Sequence, residues 1–239
     1  MYNIQENKRK PYKGGAARFV TAVKHYQERA ATEGVKCLTL FSGDLLGPSL
    51  ISTIFEGEQM MPSFNACKVD VACIGNHDLD FGINAMDKCL KQSMSTEESM
   101  TSQPGDGNCQ WIMTNLVQDD RPADGPMSVG CCSRTAVMEV GSLKIGFIGI
   151  AEKEWVDMFK NLEVEILYQN YKRCAIQYAK KLREEDGCNY IIALTHMRVR
   201  HDEKFAREIP GVDLVLGGHD HEYHCKEVAH KLKDQSHGP

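Results

Sequence analysis

Apolar positions along the chain fall into two kinds of pattern. Ala16, Ala17, Phe19, Val20, Val23, Tyr26 and Ala30 recur at helical spacing between Gly14-Gly15 and Gly34, which predicts an amphipathic helix. Residues 35–41 and 69–74 are near-continuous apolar runs and read as buried strands. Between them, residues 48–66 predict two short helices around Gly57, and residues 84–92 predict another helix. Residues 111–116 read as a further short strand ending in an Asn. Residues 135–140 and 143–150 predict a hairpin turned at Gly141-Ser142. An amphipathic helix over 170–186, a strand over 190–194, a charged helix over 201–208 and a strand over 212–216 complete the series. Strands alternating with helices indicate an α/β layered fold, with the hairpin adding an antiparallel element.

Three stretches break the pattern. Residues 1–13 are polar and basic and predict a solvated loop. Residues 93–107, rich in Ser, Thr, Glu, Pro and Gly, predict a mobile surface insertion. The tail beyond residue 225 is polar and aperiodic. The 239 residues are long enough for one sizeable α/β domain. We therefore expect a domain over 1–225 and a polar tail over 226–239.

Composition narrows the function classes. A net charge of -5 offers no basic footprint for a nucleic-acid backbone. No apolar run approaches the roughly 20 residues that span a bilayer, and no signal peptide is visible. The ten cysteines follow no regular framework and include no CxxC pair. Several lie in apolar or helical runs, where a free thiol acts as a small hydrophobe. Reduced thiols and a cytoplasmic home are the expectation.

The strand ends carry the chemistry. The run 35–41 leads into Ser42-Gly43-Asp44, and 69–74 into Gly75-Asn76-His77-Asp78-Leu79-Asp80-Phe81-Gly82. The run 190–194 leads into Thr195-His196, and 212–216 into Gly217-Gly218-His219-Asp220-His221. Open α/β sheets place ligand sites at such strand ends. Carboxylate, amide and imidazole together, with no cysteine among them, suit an open catalytic site for Mn, Zn, Fe, Co or Mg better than a structural zinc site. In an extended His-x-His both rings project the same way, serving one metal or two neighbouring ones. Either Asp78 or Asp80 could orient His77; spacing alone does not choose.

These residues carry a resemblance. Gly43-Asp44, Gly75-Asn76-His77-Asp78, Thr195-His196 and Gly217-Gly218-His219-Asp220-His221 resemble the successive motifs of the calcineurin-like metallophosphoesterases. The longer strings at 42–44, 75–82 and 215–221 are similar to the 5'-nucleotidase and UDP-sugar hydrolase branch, and the likeness covers residues 2–225. It implies a four-layer αββα sandwich and two divalent metal ions sharing one carboxylate. By position, Asp44 is implied as the bridge. Asn76, His196 and His219 complete the second metal site, and His221 belongs to the first. His77 is implied as the catalytic group that stabilises the transition state or protonates the leaving oxygen, oriented by Asp80. The implied reaction is hydrolysis of a nucleotide or related small-molecule phosphate ester by hydroxide on the dinuclear site. The members of this family begin with a strand that supplies a carboxylate to the first metal site, and the branch carries a C-terminal specificity domain. Neither is evident in this sequence, which starts Met1-Tyr2-Asn3-Ile4. The expectation is thus a sandwich with its first strand missing. The alternative is a catalytically impaired metal- or nucleotide-binding remnant.

Overall fold

The computed structural model describes residues 14–94, 108–118, 128–158, 162 and 164–228. The basic start and all but the first two residues of the predicted insertion lie outside the described residues. The chain runs α1 (Ala16–Thr32), β1 (Leu40–Ser42), α2 (Ser52–Phe55), α3 (Met61–Cys67), β2 (Val71–Cys73), α4 (Gly82–Leu90), β3 (Gln110–Ile112) and β4 (Leu116–Gln118). It continues through β5 (Thr135–Val140), β6 (Leu143–Ala151), β7 (Ile166–Tyr168), α5 (Tyr171–Glu184), β8 (Tyr190–His196), α6 (Val199–Glu208) and β9 (Leu214–Gly217).

Two main sheets form. One has the parallel order β1-β2-β3, and the other has the order β5-β6-β8-β9. In the second, β5 and β6 are the predicted antiparallel hairpin, while β6, β8 and β9 are parallel. A small antiparallel pair joins β4 to β7.

Strand periodicity explains how the layers stack. Val71 and Cys73 face inward and, with Ile112, pack against Phe147, Ile192 and Leu194 of the other sheet. The alternate residues Ala72 and Ile74 face outward onto Phe64, Met86 and Leu90 of α3 and α4. On the far side, Ile148, Ile191 and Ala193 pack against Ala175, Ala179 and Leu182 of α5 and Phe205 of α6. The central strands β2, β6 and β8 are largely buried on both faces, which is why they read as near-continuous apolar runs. The result is the four-layer αββα arrangement. The sheets approach closely at Gly149, where a Cβ would lie 2.6 Å from the Ile112 carbonyl oxygen.

The structure corrects the predicted elements at several points. The run 35–41 forms a strand only over Leu40–Ser42, and Val35 is exposed. Pairing starts at Thr39, whose N–H and carbonyl oxygen bond to the Asp70 carboxylate and N–H. Residues 111–116 are not one strand: Thr114 and Asn115 turn the chain between β3 and β4. Their side chains explain the break. Thr114 Oγ1 donates to the Arg134 carbonyl and accepts from Gly149 N–H. Asn115 closes a two-way bond with the backbone of Ala151. These polar side chains serve as backbone partners where a strand ladder would otherwise run. Strand β7 and the 3-10 turn Lys153–Met158 were not evident from periodicity, being too short to show it. All ten cysteines except Cys37 and Cys225 are buried, and all are free thiols. No helix among the described residues is long and apolar enough to cross a membrane.

Candidate metal centre

Parallel pairing brings the strand ends to one edge. Register sets Ser42 beside Cys73 in the first sheet, and Ala151 beside His196 and Thr195 beside Gly217 in the second. Two bonds then tie the sheets together there. Ser42 Oγ donates to the Leu216 carbonyl at 2.9 Å, and His196 Nδ1 donates to the Ser42 carbonyl at 2.6 Å.

That second bond fixes the His196 tautomer. With Nδ1 protonated, Nε2 carries the lone pair that a metal requires. Nε2 is buried and has no hydrogen-bond partner among the described residues. It lies 3.0 Å from Asp44 Oδ2, a distance without hydrogen-bond geometry. His219 faces the same point, its ring centroid 5.1 Å from that of His196. One ligand atom from each of Asp44, His196 and His219 lies within 4.8 Å of the others. A buried lone pair beside a carboxylate and a second imidazole is a donor set suited to a divalent cation.

Asp44 and His196 act on each other as an ion pair. Burial pushes the Asp44 carboxyl upward, but His196 and the His77 N–H outweigh it and the net shift is down. Burial pushes His196 down, but Asp44 outweighs it and the net shift is up. Burial, aided by the adjacent His196, holds His219 low, in the neutral form that ligates metal.

Backbone shape makes the cluster tight. Asp44 has φ 62, a left-handed conformation that Asp tolerates better than most residues. A Cβ on Gly43 would lie 2.6 Å from both Gly75 N and His196 Nδ1, and one on Gly75 would lie 2.2 Å from Asp44 Oδ1. Only glycine allows the loops after β1 and β2 to touch here.

Asp78 joins those loops. Its Oδ2 accepts from Gly75 N–H and Asp44 N–H, and its Oδ1 accepts from Leu45 and Leu46 N–H. Complete burial pushes its pKa up to about 6 against those donors. Asp78 is therefore a clamp and not the partner of His77. That partner is Asp80, whose Oδ2 lies 2.8 Å from His77 Nδ1. His77 N–H in turn donates to Asp44 Oδ1 at 2.9 Å. Asn76, one residue earlier, is buried, and its Oδ1 has no hydrogen-bond partner among the described residues.

The His-x-His stretch is a turn, not an extended segment in which both rings would project the same way. His219 and His221 have φ 75 and φ 56, so the tripeptide is coiled. Gly218 N–H bonds to the Thr195 carbonyl and Asp220 N–H to the Gly218 carbonyl, which bends the chain at this point. His219 joins the cluster with Asp44 and His196, whereas His221 lines the same cleft outside it. The cleft measures about 580 Å³, ample for a small phosphate ester.

Asp202 also lines this cleft. Its Oδ1 accepts from the Thr195 hydroxyl at 2.7 Å, and burial pushes its pKa up to about 7. A folded-state pKa above the ordinary carboxylate value means the native state holds the extra proton between the two. Stability from this group is full below the ordinary value and is lost as pH rises through about 7. In chelator-treated protein, Asp202→Asn is expected to escape that loss. The difference in Tm, variant minus wild type, should grow from pH 5 to pH 8. Thermal melts showing a constant or shrinking difference would refute the assignment.

Periodicity missed three residues around the site. Trp155 packs edge-on against His196 at 5.1 Å. Glu152 is buried directly after β6, and Asp202 lies one turn into α6. Only Glu152 had a legible signal, since it follows an apolar strand as Asp44 does. A second group of cation-type ligands, Glu152, Glu154 and His201, already holds a resident cation, the Arg198 guanidinium, 3.3 Å and 3.6 Å from the two carboxylates.

Comparison with known proteins points the same way. Snake venom 5'-nucleotidase from Crotalus adamanteus is 28% identical over 207 residues, covering 86% of this chain and 32% of that protein. The 5'-nucleotidase of Bos taurus is 27% identical over 214 residues, covering 88% of this chain and 33% of that protein. The chain thus spans about a third of the length of the curated relatives it matches. The solved structure of an NAD nucleotidase from Haemophilus influenzae superposes with a TM-score of 0.71 at 18% identity, covering 90% of this chain and 38% of that one, which shows a shared fold. The sequence profile described as calcineurin-like phosphoesterase matches residues 12–223. This chain belongs to the calcineurin-like phosphoesterase family.

Proposed function

We propose that the chain is the hydrolytic domain of a 5'-nucleotidase-like phosphoesterase, acting on a nucleotide or related phosphate ester. The observation that carries this is the buried, unpartnered lone pair of His196 Nε2, facing Asp44 and His219 at the floor of an open cleft. Asp44, His196 and His219 would hold one divalent cation, with Asn76 offering its unpartnered oxygen to the same ion. Asp44 and His221 would contribute to a second. Divalent cations held there supply charge for the phosphate and acidity for the attacking water.

The protein's own groups do the rest. The His196 imidazole and the His77 N–H keep the Asp44 carboxylate ionised, and the His77 N–H aims it. Asp80 accepts the Nδ1 proton of His77, which leaves Nε2 to pass a proton to the departing oxygen. Both side chains are partly exposed, so a leaving group can reach them.

Purified protein should hydrolyse p-nitrophenyl phosphate in the presence of Mn²⁺ and lose that activity to a chelator. Elemental analysis should find two ions per chain. Hydrolysis that ignores both Mn²⁺ and chelator would overturn the proposal.

A further inference from the structure

The start of α6 has no side-chain cap of its own. A helix N-terminus leaves donors that must be satisfied from elsewhere, and here two distant carboxylates do so. Glu152 Oε2, directly after β6, accepts from Arg198 N–H at 3.2 Å. Asp220 Oδ2, in the turn after β9, accepts from Val199 N–H at 2.8 Å. Asp220 sits between His219 and His221. The helix start is therefore the piece that links the end of β6 to the turn carrying both imidazoles.

Glu152 anchors that piece. It is 2% exposed and takes a second bond, 2.6 Å long, from His201 Nδ1 in the first turn of α6. The Arg198 guanidinium lies 3.3 Å from its other oxygen and offsets the buried charge. Glu152 does not line the cleft, yet its contacts fix Arg198 and His201, on either side of Val199.

We infer that Glu152 is a positioning residue for the metal centre: by capping α6 it holds Val199 where that residue's N–H can fix Asp220, and so sets His219 and His221. The inference rests on the metal-site reading above. It goes beyond that reading by assigning metal affinity to a carboxylate that does not ligate. Removing an outer partner of this kind typically lowers metal affinity or activity by about 10–100-fold.

Mn²⁺ itself is the probe, and binding rather than turnover is the readout. Free Mn²⁺ is followed by electron paramagnetic resonance. Trp155, its ring 5.1 Å from that of His196, reports the site through quenching of its emission. Glu152→Ala should raise the Mn²⁺ concentration for half-saturation by about 10–100-fold. Glu152→Gln keeps an acceptor oxygen and should lose less. Glu154→Gln removes an ion pair to the Arg198 guanidinium and should bind as wild type does. Half-saturation of Glu152→Ala within about twofold of wild type, well short of the usual outer-partner effect, overturns the inference. Should the alanine variant not fold, Glu152→Gln is judged on the same twofold limit. Failure of the wild type to bind Mn²⁺ instead sinks the metal centre itself. Binding without hydrolysis sinks only the proposed reaction.

Discussion

Asp44→Asn is expected to abolish Mn²⁺-dependent hydrolysis while leaving the fold intact. The substitution is chosen for its geometry. Asn tolerates the left-handed φ of 62 that residue 44 adopts, so backbone strain does not enter. Its amide oxygen can still accept the His77 N–H now bonded to Oδ1 at 2.9 Å. The other amide atom changes everything. An N–H₂ replaces Oδ2, 3.0 Å from His196 Nε2, and donates to the lone pair meant for a cation. The site closes on itself with a neutral hydrogen bond. Loss of a direct ligand should exceed the roughly 10–100-fold effect of an outer partner, so activity should fall by more than about 100-fold. Circular dichroism should be unchanged, and elemental analysis should show fewer than two ions per chain. A variant that keeps activity within about tenfold of wild type would show that Asp44 is not a ligand, since even outer partners usually matter that much.

The same geometry shows how much of the site was legible in the sequence. Asp44, Asn76, His77, His196 and His219 each follow an apolar run, and parallel strands bring such ends to one edge. That rule works because register is set by the buried faces, and those faces are what hydrophobic runs record. Glu152 obeys the rule too, following the last residue of β6. What the sequence could not show was the shape of the turns. The positive φ of His219 and His221 depends on bonds from Gly218 to Thr195 and from Asp220 to Gly218, which no local pattern encodes. Spacing alone does not choose between Asp78, one residue after His77, and Asp80, three residues after it. The choice between them was made in three dimensions, where four backbone donors from two loops converge on Asp78 and leave Asp80 facing the imidazole. Short elements fared worst. Strand β7 has three residues, too few for a period to appear.

His77 supplies the second large effect, and its dependence on the leaving group separates its role from that of a ligand. His77 Nδ1 is held by Asp80 at 2.8 Å, so its free nitrogen can donate to a departing oxygen. Positioned general acids typically contribute ~10²–10⁴-fold. That contribution depends on how badly the leaving group needs a proton. A p-nitrophenolate departs readily as the anion, whereas the 5'-oxygen of a nucleoside does not. His77→Gln should therefore lower hydrolysis of a nucleoside monophosphate by ~10²–10⁴-fold and hydrolysis of p-nitrophenyl phosphate by much less. Mn²⁺ binding should persist, because the ring contacts Asp80 and not the Asp44–His196–His219 cluster. Asp80→Asn should follow the same pattern in weaker form, since an amide oxygen still accepts the Nδ1 proton but offers no charge to the imidazolium that donates. Equal losses on both substrates would place His77 at the phosphate and remove it from the leaving-group side of the reaction.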